Sequence, residues 1–295
     1  MHLDVQRVGV RSEDAGPQAV SGGEPPPAHR DSPVTGLDPL DGAAAEAVEE
    51  RILHLDVAGV ARACRLRVPR RRAPDPALLV NLAGTAEEAL AGHPYRLAPR
   101  DFLAAGHAVV AFDLPNHGAL ADRFGSGLTG MAAAVAGGVD VFAALRAHGR
   151  AAVDACVARG LGRAGRVFVA GTSRGGLAAL HLLAADGRIA AAAVNAPVTH
   201  LPALREFALL GGAPLAERNS ALTLTDRIGR RPVWIGINRA DSRVGTAHCR
   251  RFFARLRASQ GASSASSLHV YEGETHRLPD AGFALGARWL LGRAG

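Results

Sequence analysis

Residues 166–176 read RVFVAGTSRGG, and the fold is decided here. Residues 167–170 are a short unbroken apolar run, the pattern of a strand buried on both faces, and residues 175–185 that follow have helical character. Between them the stretch Gly171-Thr172-Ser173-Arg174-Gly175 connects strand to helix. Gly171 and Gly175 lack Cβ and let neighbouring backbone approach, and Ser173 falls at the tip, at the N-terminus of the coming helix.

The same alternation spreads in both directions. Continuous apolar runs recur at 77–82 (ALLVNL), 108–112 (AVVAF), 189–194 (IAAAAV), 233–237 (VWIGI) and 268–271 (LHVY), and segments with helical character lie at 95–105, 139–159, 246–259 and 279–291. Strand and helix in alternation predict a doubly wound α/β sheet, mostly parallel, with helices on both faces. Upstream, 53–60 (LHLDVAGV) and 63–68 (ACRLRV) alternate apolar with polar at period two, so an antiparallel lead-in hairpin is expected. Residues 41–50 (DGAAAEAVEE) start on a capping Asp and continue with strong helix formers, which predicts a short helix. Residues 11–40 are punctuated by Gly and Pro with few large apolar side chains, so 1–40 is expected to be a flexible arm and 41–295 the folded domain. The connection 197–231 exceeds a plain crossover and is expected to hold a small lid-like element beside the strand ends, with 201–210 (LPALREFALL) apolar at helical spacing.

Strand, G-x-S-x-G and helix in that order resemble the nucleophile elbow of the α/β-hydrolase superfamily. That resemblance implies a triad in the order Ser, acid, His, and the chain supplies both partners. Asp241 stands on the turn after 233–237 (VWIGI), 68 residues beyond Ser173, and His276 on the loop after 268–271, 35 residues further on. The resemblance implies Ser173 as nucleophile, His276 as its base and Asp241 as the group that orients His276. It also implies an oxyanion hole made by the backbone N–H groups of Arg174 and Thr85. For the second donor the loop 81–86 (NLAGTA) matches the family's Gly at Gly84 but has Ala83 where many members carry His. The stretch 109–118 (VVAFDLPNHG) is similar to the family's Asp-x-Pro-x-His-Gly segment, so Gly84, Asn116 and His117 are expected to line the substrate site. Arg174 and Arg205 are candidates to pair with a substrate carboxylate or phosphate. The resemblance runs from about residue 53 to the C-terminus, and its Ser-Arg-Gly-Gly elbow is most like the dienelactone-hydrolase and prolyl-oligopeptidase-like branches.

The activity so implied is hydrolysis of an ester, thioester or lactone of a small molecule through an acyl-enzyme. Two alternatives stay open: an acyltransferase or cyclase that uses the same triad behind a closed apolar lid around Phe207 and Leu209, and a noncatalytic binding protein. Of the 295 residues, 34 are basic, all of them Arg, against 27 acidic, for a net charge of +7. An all-Arg, Ala- and Gly-rich chain reads as compositional bias, so neither nucleic acid nor membrane is expected as a partner. Cys64, Cys156 and Cys249 lie far apart without metal-ligand spacing. Neither metal nor organic cofactor is implied, and a cytoplasmic monomer or homodimer is expected.

Overall fold

The computed structural model describes residues 31–33 and 47–295. Its elements follow the chain as β1 (Asp31–Pro33), β2 (Val48–Val57), β3 (Val60–Pro69), β4 (Leu78–Leu82), α1 (Ala86–Ala91), α2 (Leu97–Ala104), β5 (Ala108–Ala111), α3 (Gly127–Ala136), α4 (Val141–Ala158), β6 (Val167–Thr172), α5 (Arg174–Ala185), β7 (Ile189–Asn195), α6 (Pro214–Arg218), α7 (Thr225–Ile228), β8 (Val233–Asn238), α8 (Thr246–Gln260), β9 (Ser267–Tyr271) and α9 (Asp280–Ala294). All nine strands form one sheet in the order β1-β2-β3-β5-β4-β6-β7-β8-β9. The first three run antiparallel to their neighbours, and from β5 onward every pair is parallel.

Period-two alternation explains how the buried runs work. Leu78, Val80, Leu82, Val110, Val167 and Val169 point into one core with α3, α4 and α5. Leu79, Val109, Ala111, Phe168 and Ala170 point into the other, with α1, α2 and α9. A strand covered on both faces needs apolar residues at every position, which is why these segments read as continuous runs.

Four expectations need correction. Strand β2 ends at Val57, and Ala58 and Gly59, both at positive φ, make the hairpin turn, so 53–60 is not one strand. Residues 48–50 begin β2 and are not helical, while 41–46 lie outside the described residues. Within the expected arm, β1 pairs antiparallel with β2, and the rest of 1–40 lies outside the described residues. Residues 201–210 form two 3₁₀ turns, Leu201–Ala203 and Arg205–Leu210, instead of one α-helix, the first with Pro in its opening turn. Among the described residues no single helix is long and apolar enough to cross a membrane.

Candidate active site

All the candidate groups lie beyond the C-terminal ends of the parallel strands, on one edge of the sheet. Ser173 has φ 56 and ψ −118, a conformation that L residues rarely adopt. Its backbone is pinned there: Ser173 N donates to Asn195 O at 2.9 Å, and Ser173 O accepts from Val198 N at 3.0 Å. The glycines are sterically required. A Cβ on Gly171 would fall on the carbonyl of Gly175, and one on Gly175 would fall on the carbonyl of Leu82. Arg174 is the first residue of α5, so its N–H has no intrahelical acceptor and faces outward at the positive end of the helix.

Asp241 and His276 are brought together by the loops after β8 and β9. Nδ1 of His276 bonds Oδ2 of Asp241 at 2.8 Å. The Asp241 side chain is fully buried, whereas the His276 side chain is about one third exposed. Oδ1 of Asp241 accepts from the amides of Arg243 (2.9 Å) and Val244 (3.2 Å), so the carboxylate is held from both ends. Because a carboxylate can only accept, Nδ1 carries the hydrogen, and in the neutral form of the ring the lone pair is then on Nε2, at the opposite edge.

A residue that sequence reasoning missed holds this loop in place. Asn238 ends β8 and is buried, and its Nδ2 donates to the carbonyls of Thr275 (2.8 Å) and Arg277 (2.9 Å), on either side of His276. Its own carbonyl O accepts from Thr246 Oγ1 at 2.7 Å, which ties the start of α8 to the same point. Only the position of a buried amide at a strand's C-terminal end could have signalled it.

Thr85 requires a correction. Its N–H is already taken by Oε2 of Glu88 at 3.3 Å, and the Gly84 N–H donates to the same oxygen at 3.0 Å. Thr85 is the N-cap of α1, and Thr85 and Glu88 close a reciprocal capping box. The next amide, Ala86, donates to Asp113 Oδ1 at 2.8 Å. The amides of this loop are therefore spent on two carboxylates, and Thr85 is not a free oxyanion donor. Gly84 lies beneath the Arg174 guanidinium, with no room for a Cβ, and Arg174 Nη2 stands 3.5 Å from Glu88.

Arg174 also lines a narrow apolar crevice, about 330 Å³ of empty space counted out to open solvent but only about 10 Å³ open to the centre of a water, walled by Met131 of α3, Phe142 of α4, Leu177 of α5, Val198, and Leu201 and Leu204 of the 197–231 connection. That connection therefore forms a wall of the pocket. Phe207 is fully buried beneath it, whereas Leu209 is 99% exposed and closes nothing. Arg205 is also displaced from its expected role, with a side chain 87% exposed and paired with Glu206. Asn116, at φ 63, is buried and donates to Asp122 Oδ1 at 2.7 Å, facing a neighbouring cavity. His117 is buried, its Nδ1 bonded to Pro115 O at 2.9 Å and its Nε2 without a partner. Burial pushes His117 below the ordinary imidazole range. Buried Cys249 is pushed up to about 12, which leaves it an inert thiol.

No protein-family model matches the chain, and no curated protein matches it in sequence. Among solved structures it is similar to a cold-adapted esterase from an Arctic intertidal metagenomic library (23% identity, TM-score 0.63, 84% of this chain and 94% of that one). It is also similar to an acetyl xylan esterase from Paenibacillus sp. R4 (17%, TM-score 0.64, 90% and 88%) and to the Pyrococcus furiosus esterase Pf2001 (18%, TM-score 0.61, 89% and 98%). Together with the sheet order and the strand-turn-helix at Ser173, these likenesses define an α/β-hydrolase fold.

Proposed function

We propose that this protein is a serine hydrolase that cleaves an ester-like bond, in an ester, thioester or lactone, of a small-molecule substrate. The observation that carries the reading is the His276–Asp241 bond of 2.8 Å on the sheet edge where Ser173 is held in its strained turn. That three of the similar structures are esterases supports the same chemistry. Ser173 Oγ attacks the carbonyl carbon while His276 Nε2 takes its proton, and the developing oxyanion is met by the N–H of Arg174. The tetrahedral intermediate expels the alcohol, which receives the proton from His276 and leaves an acyl group on Ser173. Water, deprotonated by His276, then releases the acid and restores Ser173. The apolar crevice beside Arg174 is where an acyl group would lie, and its side chains must part to admit more than a short one.

The test is turnover of p-nitrophenyl esters of graded acyl length, with mass spectrometry of protein treated with a fluorophosphonate. Label on Ser173 and hydrolysis that falls by roughly a thousandfold or more in both Ser173→Ala and His276→Ala are expected, because a triad acts as a unit. An active Ser173→Ala protein would refute the mechanism.

A further inference from the structure

The crevice beside Arg174 starts against the nucleophile's own turn: two of its walls, Leu177 and Val198, carry the amides that donate to Ser173 O, at 3.2 and 3.0 Å. With about 10 Å³ open to the centre of a water, it has room for no more than about one water. A neighbouring cavity offers about 260 Å³ by the same measure, and about 740 Å³ of empty space counted out to open solvent. Pro115, Val141 and Leu145 line both spaces. Helical periodicity explains how α4 serves the two. Phe142 lines the crevice alone and Ala144 the cavity alone, while Val141 and Leu145, one turn apart, form a ridge that faces both. Both ridge side chains are buried, and because each touches either space the partition is one side chain thick.

Beyond the ridge, Leu120, Val139 and Ala144 supply apolar wall. A methylene that passes from water onto such a wall gains roughly fourfold in affinity. A chain that reached the cavity would gain with each added carbon, whereas one halted at the ridge must force packed side chains aside to grow. We propose that Leu145, backed by Val141, is the stop that limits this protein to short acyl groups, and that the cavity is room a longer chain enters once the stop is removed. The inference rests on the hydrolase reading and adds to it a substrate class, esters of short-chain acids.

The test compares kcat/KM for p-nitrophenyl butanoate and octanoate in full-length protein. Wild type is expected to favour butanoate, and Leu145→Ala to raise the octanoate-to-butanoate ratio at least about tenfold, the worth of two methylenes placed on the cavity wall. Ala144→Phe, at an exposed helix position on the cavity side, is expected to take that gain back when added to Leu145→Ala. Should Leu145→Ala fail to fold, Val141→Ala opens the same ridge with fewer atoms removed and should raise the ratio about threefold or more. A second arm needs no turnover: calorimetric binding of butanoate and octanoate to Ser173→Ala, with and without Leu145→Ala, where the octanoate-to-butanoate affinity ratio should rise in the same sense. A ratio unmoved by opening the ridge overturns the proposal, as does a wild type that hydrolyses octanoate as readily as butanoate, or a gain that Ala144→Phe leaves in place. If no ester is turned over and Ser173 takes no fluorophosphonate label, the hydrolase reading falls, and the binding ratio still decides whether Leu145 divides the two spaces.

Discussion

Asn238 joins the acid loop to the histidine loop through a single carboxamide, and the consequence of removing it can be stated. Leu in its place fills a similar volume but cannot donate, so the carbonyls of Thr275 and Arg277 lose their common anchor and His276 loses its fixed position. We expect Asn238→Leu to lower kcat for ester hydrolysis at least tenfold, with KM changed far less, and to slow fluorophosphonate labelling of Ser173 in protein whose circular dichroism is unaltered. An unchanged kcat would show that the two backbone clamps do not position the ring. Thr85 permits a second prediction: as an N-cap whose side chain accepts from Glu88 N at 3.1 Å, its replacement by Ala is expected to cost about 1 kcal/mol in denaturant unfolding. The turns that carry Ser173, Asp241 and His276 were legible in the sequence because each follows a strand read from an apolar run, and the structure places a strand before each of them. Asn238 was not, since its partners lie 37 and 39 residues away and nothing local marks them. Thr85 could have been read correctly, because Thr-x-x-Glu ahead of a helix is itself a capping signal, and that signal competes with an oxyanion role for the same N–H.

At the scale of elements, the buried strands were plain because burial on both faces leaves no polar position to confuse the period. Helix α3 was missed for the opposite reason: GLTGMAAAVA opens on Gly and has no polar face, so it shows no helical stripe, and its N-cap Ser126 makes no side-chain capping bond. The 197–231 connection was also obscure, since its order comes from tertiary links that local propensity does not encode. One of these links can be tested. Glu206, in the second 3₁₀ turn, accepts from Arg243 Nη2 at 2.7 Å, and this joins the pocket wall to the loop that carries Asp241. The hydrogen bond from Arg243 holds Glu206 below the ordinary carboxylate range, against the opposing effect of burial. The folded value is the lower one, so the stabilisation is fully present above about pH 4.5 and is lost as pH falls through the depressed value. Limited proteolysis within 197–231 should therefore accelerate further in wild type in that acid range, beyond the gradual rise that protonation of the buried histidines brings. In Glu206→Gln it should already be faster at neutral pH. Equal cleavage of the two proteins at pH 7 would show that the ion pair does not hold the wall.

For the whole molecule, the distribution of histidines decides how the fold responds to acid. Burial lowers His107, His117, His148 and His181 alike, with His148 at about 4 and His181 at about 3. His181 shows why the neutral ring fits: Nε2 donates to Asn219 O at 3.0 Å, and Nδ1 accepts from Arg146 Nη1 at 3.3 Å. A proton on Nδ1 would face a guanidinium. The unfolded chain binds these protons near the ordinary imidazole value of about 6.5, whereas the folded chain refuses them until well below it. The unfolded state thus holds more protons between those limits, and stability must decline as pH falls from about 6.5 toward 4. Each such histidine adds a slope of up to about 1.4 kcal/mol per pH unit within its window, so two of them outweigh any single surface ion pair over the same range. Acid lability therefore begins before the carboxylates titrate, and the +7 chain gains further positive charge as it opens. Urea unfolding midpoints between pH 7.5 and 4.5 should fall steadily from about pH 6.5, and His148→Phe should remove one proton's share of that slope. A midpoint independent of pH across this interval would mean that the folded protein takes up these protons as readily as the unfolded chain, and that the buried rings are open to water.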